Sequence, residues 1–163
     1  FHIFFQVLEG ISYLHNMGII HCDIKLGNIF MTEEGKIVIG DFGESMVKDT
    51  KILQTITQKR DEQEILAYRR EYRGTPDFSA PEAKIEKYCD EKTDVYSIGT
   101  TFFTLLYQNF PTNETKIDFE LNYPYSMNLK KLILRMIEPD KNKRIDLSTA
   151  KKEFYRIYYQ RYF

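Results

Sequence analysis

The chain has 163 residues, of which 42% are apolar and 29% charged, with a formal net charge of -1. This length suffices for one domain with a sizeable hydrophobic core, and the composition excludes a disordered or fibrous protein. Because nucleic-acid phosphates attract proteins with a basic excess, the near-neutral charge also argues against nucleic acid as the main partner.

Cysteine usage and hydropathy bear on the cellular setting. Cys22 and Cys89 are far apart and form no CxxC pair, so the sequence indicates neither a zinc site nor a disulfide framework. No apolar run approaches the roughly 18 residues that a membrane-spanning helix needs, and no leader precedes a cleavage site. We therefore expect a cytoplasmic or otherwise intracellular protein with no membrane partner.

The first element along the chain is a predicted helix from Phe1 to Met17, which Gly18 ends. Its apolar residues recur at spacings of three and four, which places them on one helical face: Phe4, Val7, Leu8, Ile11 and Leu14. Because the chain begins at Phe1 inside this amphipathic pattern, we expect it to be a piece of a longer protein.

A small β-hairpin is predicted next. Ile29 to Met31 and Lys36 to Ile39 are short apolar runs joined by a turn sequence at residues 32–35. The stretch from Lys48 to Arg73 holds seven Lys or Arg and five Asp or Glu but few large apolar residues. We predict that it forms an exposed loop, with helix in part of it.

The second half of the chain is predicted to be mainly helical. The strongest pattern runs from Thr93 to Tyr107 and is apolar nearly all round, as in a central helix. The residues that it is expected to bury are Val95, Ile98, Phe102, Phe103, Leu105 and Leu106. Asn109 to Met127 contains Pro111 and Pro124 and is predicted to be an irregular connection.

Two further helices complete the predicted elements. One runs from Leu129 to Ile137 and stops before Pro139. The other carries apolar residues at helical spacing from Ala150 through the C-terminus, after a capping residue at Ser148 or Thr149. The fold class predicted from these elements is mainly α with one hairpin.

Three motifs carry candidate chemistry. The first, HCDIKLGN at residues 21–28, spaces a carboxylate, an ammonium and a carboxamide closely in an irregular segment. The second is the DFG tripeptide at residues 41–43, and the third is GTPDFSAPE at residues 74–82. Their order and spacing resemble the catalytic loop, the metal-binding loop and the substrate-docking segment of the protein kinase family. The resemblance continues through DVYSIG at residues 94–99 and Arg144, and so covers essentially the whole chain, 1–163.

The resemblance implies a role for each polar residue of the first two motifs. Asp23 would orient the attacking hydroxyl and accept its proton, and Lys25 would neutralise the transferring phosphate of ATP. Asn28 and Asp41 would bind Mg²⁺, which prefers oxygen ligands. Phe30 matches the position that floors the adenine pocket in this family. Lys25 and the Gly-Thr pair at residues 74–75 resemble serine/threonine rather than tyrosine kinases.

Other residues have supporting roles by the same resemblance. Thr75 would bridge Asp23 and Lys25, and His21 would brace the metal-binding loop. Asp94 would hold the amides of the catalytic loop. Glu82 and Arg144 resemble an ion pair that ties the docking segment to later helices.

The chain also departs from the family pattern. Cys22 stands where many regulated kinases have an arginine that clamps a phosphorylated activation loop, and a thiol cannot do so. We therefore expect activity to depend little on activation-loop phosphorylation. The activation segment, residues 44–73, is longer than usual for the family, and we expect the stretch from Lys48 to Arg73 to be an insertion that binds a regulatory partner.

The expected protein is thus the C-terminal lobe of a protein kinase domain, with its N-terminal lobe absent. No Gly-rich phosphate loop and no VAIK-like lysine occur in the sequence, so we expect the isolated lobe to be inactive and the parent to phosphorylate protein Ser/Thr hydroxyls. The alternative is a pseudokinase or a protein-binding scaffold that docks proteins through residues 75–82 without catalysis.

Overall fold

The computed structural model describes residues 1–48, 74–122 and 124–159. Helices dominate this part of the chain, and they are, in order, α1 (His2–Asn16), α2 (Pro81–Glu86), α3 (Glu91–Tyr107), α4 (Asn113–Asn122), α5 (Met127–Met136) and α6 (Leu147–Tyr159). The strands are β1 (Ile19–Ile20), β2 (Ile29–Met31), β3 (Ile37–Ile39) and β4 (Met46–Val47). The fold is therefore helical with small β-elements, in agreement with the predicted class.

Helix α1 confirms the predicted first helix. Phe4, Val7, Leu8 and Ile11 are buried along one face, as their spacing predicts. Gly18, two residues beyond the helix, has a φ of 72°, which favours glycine. The chain therefore reverses sharply and enters β1.

The strands form two antiparallel pairs. The hairpin β2–β3 confirms the prediction, with Phe30 paired to Val38. The second pair, β1–β4, brings Ile20 opposite Met46 and was not predicted. These two short pairs place the segments that precede β2 and follow β3 side by side.

Helix α3 is the central helix of the fold. Asp90 caps its N-terminus by accepting from the Lys92 and Thr93 amides, while the Thr93 hydroxyl bonds back to the Asp90 amide. The prediction of complete burial was wrong at its C-terminal end. Leu105 is 40% exposed and Leu106 is only partly buried, because the helix leaves the core in its last turn.

Two other predictions were wrong. Residues 113–122, assigned to an irregular connection, form α4, and Phe119 anchors that helix in the core with no exposed surface. The cap of α6 is neither Ser148 nor Thr149, because Asp146 accepts from the Thr149 amide at 2.8 Å and from both hydroxyls.

The main core lies where α3 packs on α5 and α1 packs on α6. At its centre the rings of Phe4 and Phe102 stack with centroids 3.8 Å apart. A smaller cluster joins the β1–β4 pair to α2: Ile20, Cys22, Met46, Ala80, Ala83 and Cys89. Among the described helices, none combines the length and apolar character needed to cross a bilayer. The predicted loop from Lys48 to Arg73 lies outside the described residues after Lys48.

Candidate active site

Asp23 lies at the centre of a polar cluster formed by loops of the chain. Its Oδ1 accepts from the Thr75 hydroxyl at 2.7 Å, and its Oδ2 accepts from Lys25 Nζ at 2.7 Å. Asn28 Nδ2 donates to the same Oδ2 at 3.1 Å and to the Asp23 carbonyl at 2.8 Å. Three residues thus donate to one carboxylate, two of them from the same loop and the third, Thr75, from 52 residues further along the chain.

Asp23 remains ionised despite its burial. Burial is the largest single influence on its pKa and raises it, but the hydrogen bonds from Lys25, Thr75 and Asn28 together outweigh burial. The pKa is therefore lowered from its ordinary value of 3.8. The site holds a fixed negative charge that is oriented by its donors.

Lys25 and Thr75 complete a closed ring of hydrogen bonds with Asp23. The Thr75 oxygen accepts from Lys25 Nζ at 2.7 Å and donates its proton to Asp23. An ammonium group has three N–H donors, and two of them are used here. Within the described residues the third donor of Lys25 has no protein acceptor.

Asp94 holds the backbone of the loop behind this cluster. Its carboxylate is fully buried and accepts from the amides of His21 and Cys22, each at 2.9 Å. Cys22 has a φ of 67°, a conformation that costs a non-glycine residue about 1 to 2 kcal/mol. The two charge-assisted bonds compensate for that cost and direct the chain into Asp23.

His15 is the third donor to Asp94. Its Nε2 lies 2.8 Å from Asp94 Oδ2, and its side chain is 7% exposed. The sequence assigned His15 only to the first helix, because nothing local marks its partner 79 residues away. A buried carboxylate that needs several donors was the one signal that could have suggested it.

His21 links the two loops on either side of the hairpin. Its Nδ1 accepts from the Asp23 amide at 3.3 Å, and its Nε2 faces the Gly40 carbonyl at 3.1 Å. This pair of contacts fits the tautomer that carries its proton on Nε2. The Phe42 ring lies 5.1 Å from the imidazole, centroid to centroid, so His21 contacts the DFG segment directly.

Asn28 and Asp41 carry the oxygens that could bind Mg²⁺. Because Asn28 donates its amide group to Asp23, its Oδ1 is left without a hydrogen bond among the described residues. Asp41 is exposed at a φ of 61°, and its only described hydrogen bond is a long one, 3.4 Å, from the Gly43 amide. A carboxylate and a carboxamide oxygen suit Mg²⁺, which completes its shell with phosphates and water.

Phe30 lies on the hairpin beside these oxygens. It is 53% exposed, and its ring lies over Gly40, where an added Cβ would come within 2.9 Å of Phe30 Cε2. Gly40 also donates its amide to the Asn28 carbonyl at 3.0 Å. The Phe30 ring thus packs on Gly40 and keeps about half of its surface exposed.

Gly74 positions Thr75 against the loop that carries Cys22 and Asp23. It has a φ of 99°, and a Cβ at this residue would lie 2.4 Å from the Cys22 carbonyl oxygen. No side chain fits there, so the close approach of the two backbones requires glycine. The sequence motif included this glycine, but the contact with Cys22 was not foreseen.

Glu82 and Arg144 form a buried ion pair that fixes α2 to the loop before α6. Arg144 Nη1 and Nη2 contact the two Glu82 oxygens at 2.6 and 3.0 Å. The other three guanidinium donors bind the carbonyls of Lys92, Glu138 and Pro139. All five donors are therefore used, as a charge buried to 1% exposure requires.

Comparisons with known proteins show which family the chain resembles. A family model described as protein kinase domain matches residues 1–156. The serine/threonine-protein kinase PknD of Chlamydia muridarum is 32% identical over 126 residues, which cover 70% of this chain and 13% of that protein. The serine/threonine-protein kinase TOS3 of Saccharomyces cerevisiae is 30% identical over 181 residues, covering 94% of this chain and 31% of that protein.

A plant protein is similar to the same extent. The CBL-interacting protein kinase 25 of Oryza sativa is 29% identical over 155 residues, covering 88% of this chain and 28% of that protein. The chain therefore spans between 13% and 31% of the length of these three relatives.

Proposed function

The chain belongs to the protein kinase family, and from that premise we propose that it is the catalytic, C-terminal lobe of a serine/threonine kinase domain. The parent protein would transfer the terminal phosphoryl group of ATP to Ser or Thr hydroxyls of a protein substrate. The observation that carries this proposal is the cluster in which Lys25, Asn28 and Thr75 converge on Asp23.

Asp23 is proposed to orient the attacking hydroxyl. Its pKa is lowered by its donors, so it is ionised at neutral pH but is a weak base. Positioning the hydroxyl is then its main contribution, and it receives the proton once the new phosphate bond has largely formed. This suits phosphoryl transfer, in which positioning and charge neutralisation matter most.

Lys25 is proposed to stabilise the charge of the transferring group. Two of its donors fix the ammonium between Asp23 and Thr75, and the third is available to a phosphate oxygen. Because these contacts hold the charge in place beforehand, no reorganisation is needed during transfer.

Asn28 Oδ1 and the Asp41 carboxylate are proposed to hold Mg²⁺ together with the phosphates of ATP. Bound there, the ion would neutralise phosphate charge. The two hydrogen bonds that Asn28 Nδ2 donates to Asp23 fix the orientation of the side-chain amide, and with it the position of Oδ1. Asn28 would therefore position Asp23 and bind the metal at the same time.

The serine/threonine assignment rests on Lys25 and Thr75 and on the names of the relatives. We also propose that the isolated lobe is inactive. Phe30 and Val38 are paired across the hairpin and so point to the same face, where they are 53% and 49% exposed; Phe42, just beyond the hairpin, is 47% exposed. An apolar surface of this kind usually marks a face that other structure covers.

The test is transfer of radiolabelled phosphate to a generic protein substrate by the parent and by this chain. We expect transfer by the parent only, reduced at least about a hundredfold by Asp41→Ala or Asp23→Asn. The control is Glu33→Ala, which removes an exposed carboxylate from the hairpin turn and should leave the rate unchanged.

Each part of the proposal can fail separately. A parent that transfers no phosphate, or whose rate is insensitive to Asp41→Ala, refutes catalysis at this site and leaves the pseudokinase or scaffold role for this lobe. Product that contains only phosphotyrosine refutes the serine/threonine type. Transfer by the chain alone refutes the need for further structure.

A further inference from the structure

A groove of about 460 Å³ runs between α5 and α6, among residues that take no part in the site described above. The residues that line it are Asn128, Lys131, Leu132, Arg135, Glu153, Arg156 and Ile157. On α5 they follow the spacing i, i+3, i+4, i+7, which is one continuous helical stripe. The groove is therefore elongated along the helices rather than round.

The floor of the groove is apolar and its walls are charged. Leu132 and Ile157 form the floor and are 2% and 9% exposed. Lys131, Arg135 and Arg156 are exposed on the walls, with Glu153 as the single acidic residue. The four charges sum to an excess of two positive charges, in a chain whose formal net charge is -1.

Pairing within the groove leaves two of the cations available. Arg135 Nη1 contacts Glu153 Oε2 at 2.6 Å, which satisfies that pair. Lys131 on α5 and Arg156 on α6 form no ion pair with any residue in ranges 1–48, 74–122 or 124–159. The positive potential of the groove thus comes from one unpaired cation on each wall.

We propose that this groove binds an acidic peptide segment of a partner protein. An extended chain with carboxylates on both sides of its backbone can reach Lys131 and Arg156 together, while a small apolar side chain contacts the floor. Such charge complementarity favours rapid association and selects against basic partners. A partner held there would be tethered to the kinase lobe without occupying the cluster around Asp23.

The same charges disfavour nucleic acid as the occupant. Phosphate backbones are bound through many cations at once, and sequence-independent binding typically uses about 6 to 10 contacts. Two unpaired cations are too few, and Glu153 would repel a neighbouring phosphate. A peptide with separated carboxylates can place an amide or hydroxyl next to Glu153 instead.

The experiment measures binding of fluorescein-labelled decaglutamate to this chain by fluorescence anisotropy, with decaglutamine as the uncharged probe. We expect decaglutamate to bind and decaglutamine not to. Lys131→Glu and Arg156→Glu should each weaken binding about threefold to tenfold, because an exposed attraction becomes a repulsion of similar size. Raising the salt from about 0.05 to about 0.3 M should weaken it further.

The matched control is Lys36→Glu, the same charge change at an exposed lysine of the hairpin. It should leave binding unchanged, and circular dichroism should show all three variants folded. If Lys131→Glu or Arg156→Glu unfolds the chain, the neutral variants Lys131→Gln and Arg156→Gln are used instead. They should weaken binding, but by less than the charge reversals, because they remove an attraction without adding a repulsion. The proposal is overturned if Lys36→Glu weakens decaglutamate binding as much as the groove variants do, or if the unmodified chain does not bind decaglutamate.

Two further measurements decide between occupants. A single-stranded oligonucleotide of similar charge that binds more tightly than decaglutamate, and is lost in the same variants, would make the groove a nucleic-acid site. Sedimentation that shows self-association of the chain, abolished by Lys131→Glu, would make the occupant a second copy. Either result overturns the peptide proposal.

Discussion

The Thr75 hydroxyl is one of three donors that hold the Asp23 carboxylate. Thr75 Oγ1 donates to Asp23 and accepts from Lys25, both at 2.7 Å, and so couples the carboxylate to the ammonium. The backbone that brings Thr75 there depends on Gly74, which lies against the Cys22 carbonyl. The environment of Asp23 should therefore respond to changes in Thr75 without loss of the fold.

We predict that Thr75→Ala raises the pKa of Asp23. Burial, the largest influence, continues to raise the pKa, while one of the hydrogen bonds that lower it is lost. The measurement is a titration of the Asp23 carboxyl carbon by nuclear magnetic resonance. Thr75→Ser is the control, because it keeps the hydroxyl and should keep the lowered pKa. An unchanged pKa in Thr75→Ala would contradict this account of the site.

The lowered pKa also sets the sign of the acid response. A carboxyl whose pKa is lower in the folded state stabilises the fold above its unfolded pKa, near the ordinary value of 3.8. That contribution is lost as the pH falls through the folded pKa. In Thr75→Ala this contribution should be smaller, and its loss should be complete at a higher pH.

The ion pair between Glu82 and Arg144 permits a matched comparison of buried and exposed charges. Glu82→Gln strands the Arg144 charge at 1% exposure and should lower the free energy of unfolding by about 3 to 5 kcal/mol. Glu153→Gln removes the same chemical group from the exposed pair with Arg135 and should cost less than about 1 kcal/mol. Urea unfolding gives the loss in the free energy of unfolding for each variant. Equal losses would indicate that the Glu82–Arg144 pair is as solvated as the exposed pair.

Motif spacing predicted which residues to examine, but not all of their partners. Asp23, Lys25 and Asn28 lie within six residues, so their chemistry could be inferred locally. His15 on α1 contacts Asp94 on α3 across 79 residues of chain, and only the tertiary packing of these two helices brings them together. Long-range contacts of this kind have no local sequence signal.

At the scale of the elements, the N-terminus of α6 depends on one residue outside the helix. Asp146 accepts from the Thr149 amide and from the hydroxyls of Ser148 and Thr149. These bonds, the Thr149 amide first, lower the pKa of Asp146 from 3.8 to about 2. Ser148 and Thr149, which the sequence suggests as capping residues, instead donate their hydroxyls to Asp146 and hold its carboxylate in the capping position.

We predict that Asp146→Ala lowers the free energy of unfolding by about 1 kcal/mol at neutral pH, as loss of an N-cap usually does. Because the folded pKa is depressed, the stabilisation is complete above about pH 4 and is lost as the pH falls towards 2. The difference between the wild type and Asp146→Ala should therefore shrink over that range in urea unfolding. A difference that is constant with pH would rule out the charged cap.

Helix periodicity predicted α1, α3 and α5, because each buries a full apolar stripe in the core. Periodicity did not predict α4, because most of its residues are polar and Phe119 is the one residue of the helix that is buried. It also missed the β1–β4 pair, since two-residue strands acquire their partners only through tertiary packing. Elements that carry their own periodicity were predictable, and elements defined by contacts with others were not.

At the scale of the whole molecule, α3 packs tightly against the C-terminal end of α5 at Gly99. A Cβ added at Gly99 would meet Met136 Cβ at 2.7 Å and Ile137 Cγ2 at 2.8 Å, with the Met136 carbonyl carbon at 3.1 Å. The Met136 carbonyl carbon is backbone and the Met136 Cβ is bonded directly to it, so neither can move without shifting the helix. Gly99 thereby sets the distance at which the helical core closes.

We predict that Gly99→Ala lowers the free energy of unfolding by about 1 to 2 kcal/mol, although alanine is the better helix former, because overpacking costs more than the propensity gains. Gly10→Ala in α1 is the control, where the new methyl group meets the flexible end of Ile39, Cδ1, at 2.8 Å. Ile39 can rotate, so the helix propensity gain should leave Gly10→Ala at or above the stability of the wild type. Urea unfolding midpoints with unchanged slopes measure both variants. If Gly99→Ala were as stable as Gly10→Ala, α3 and α5 would have room to separate and Gly99 would not limit their approach.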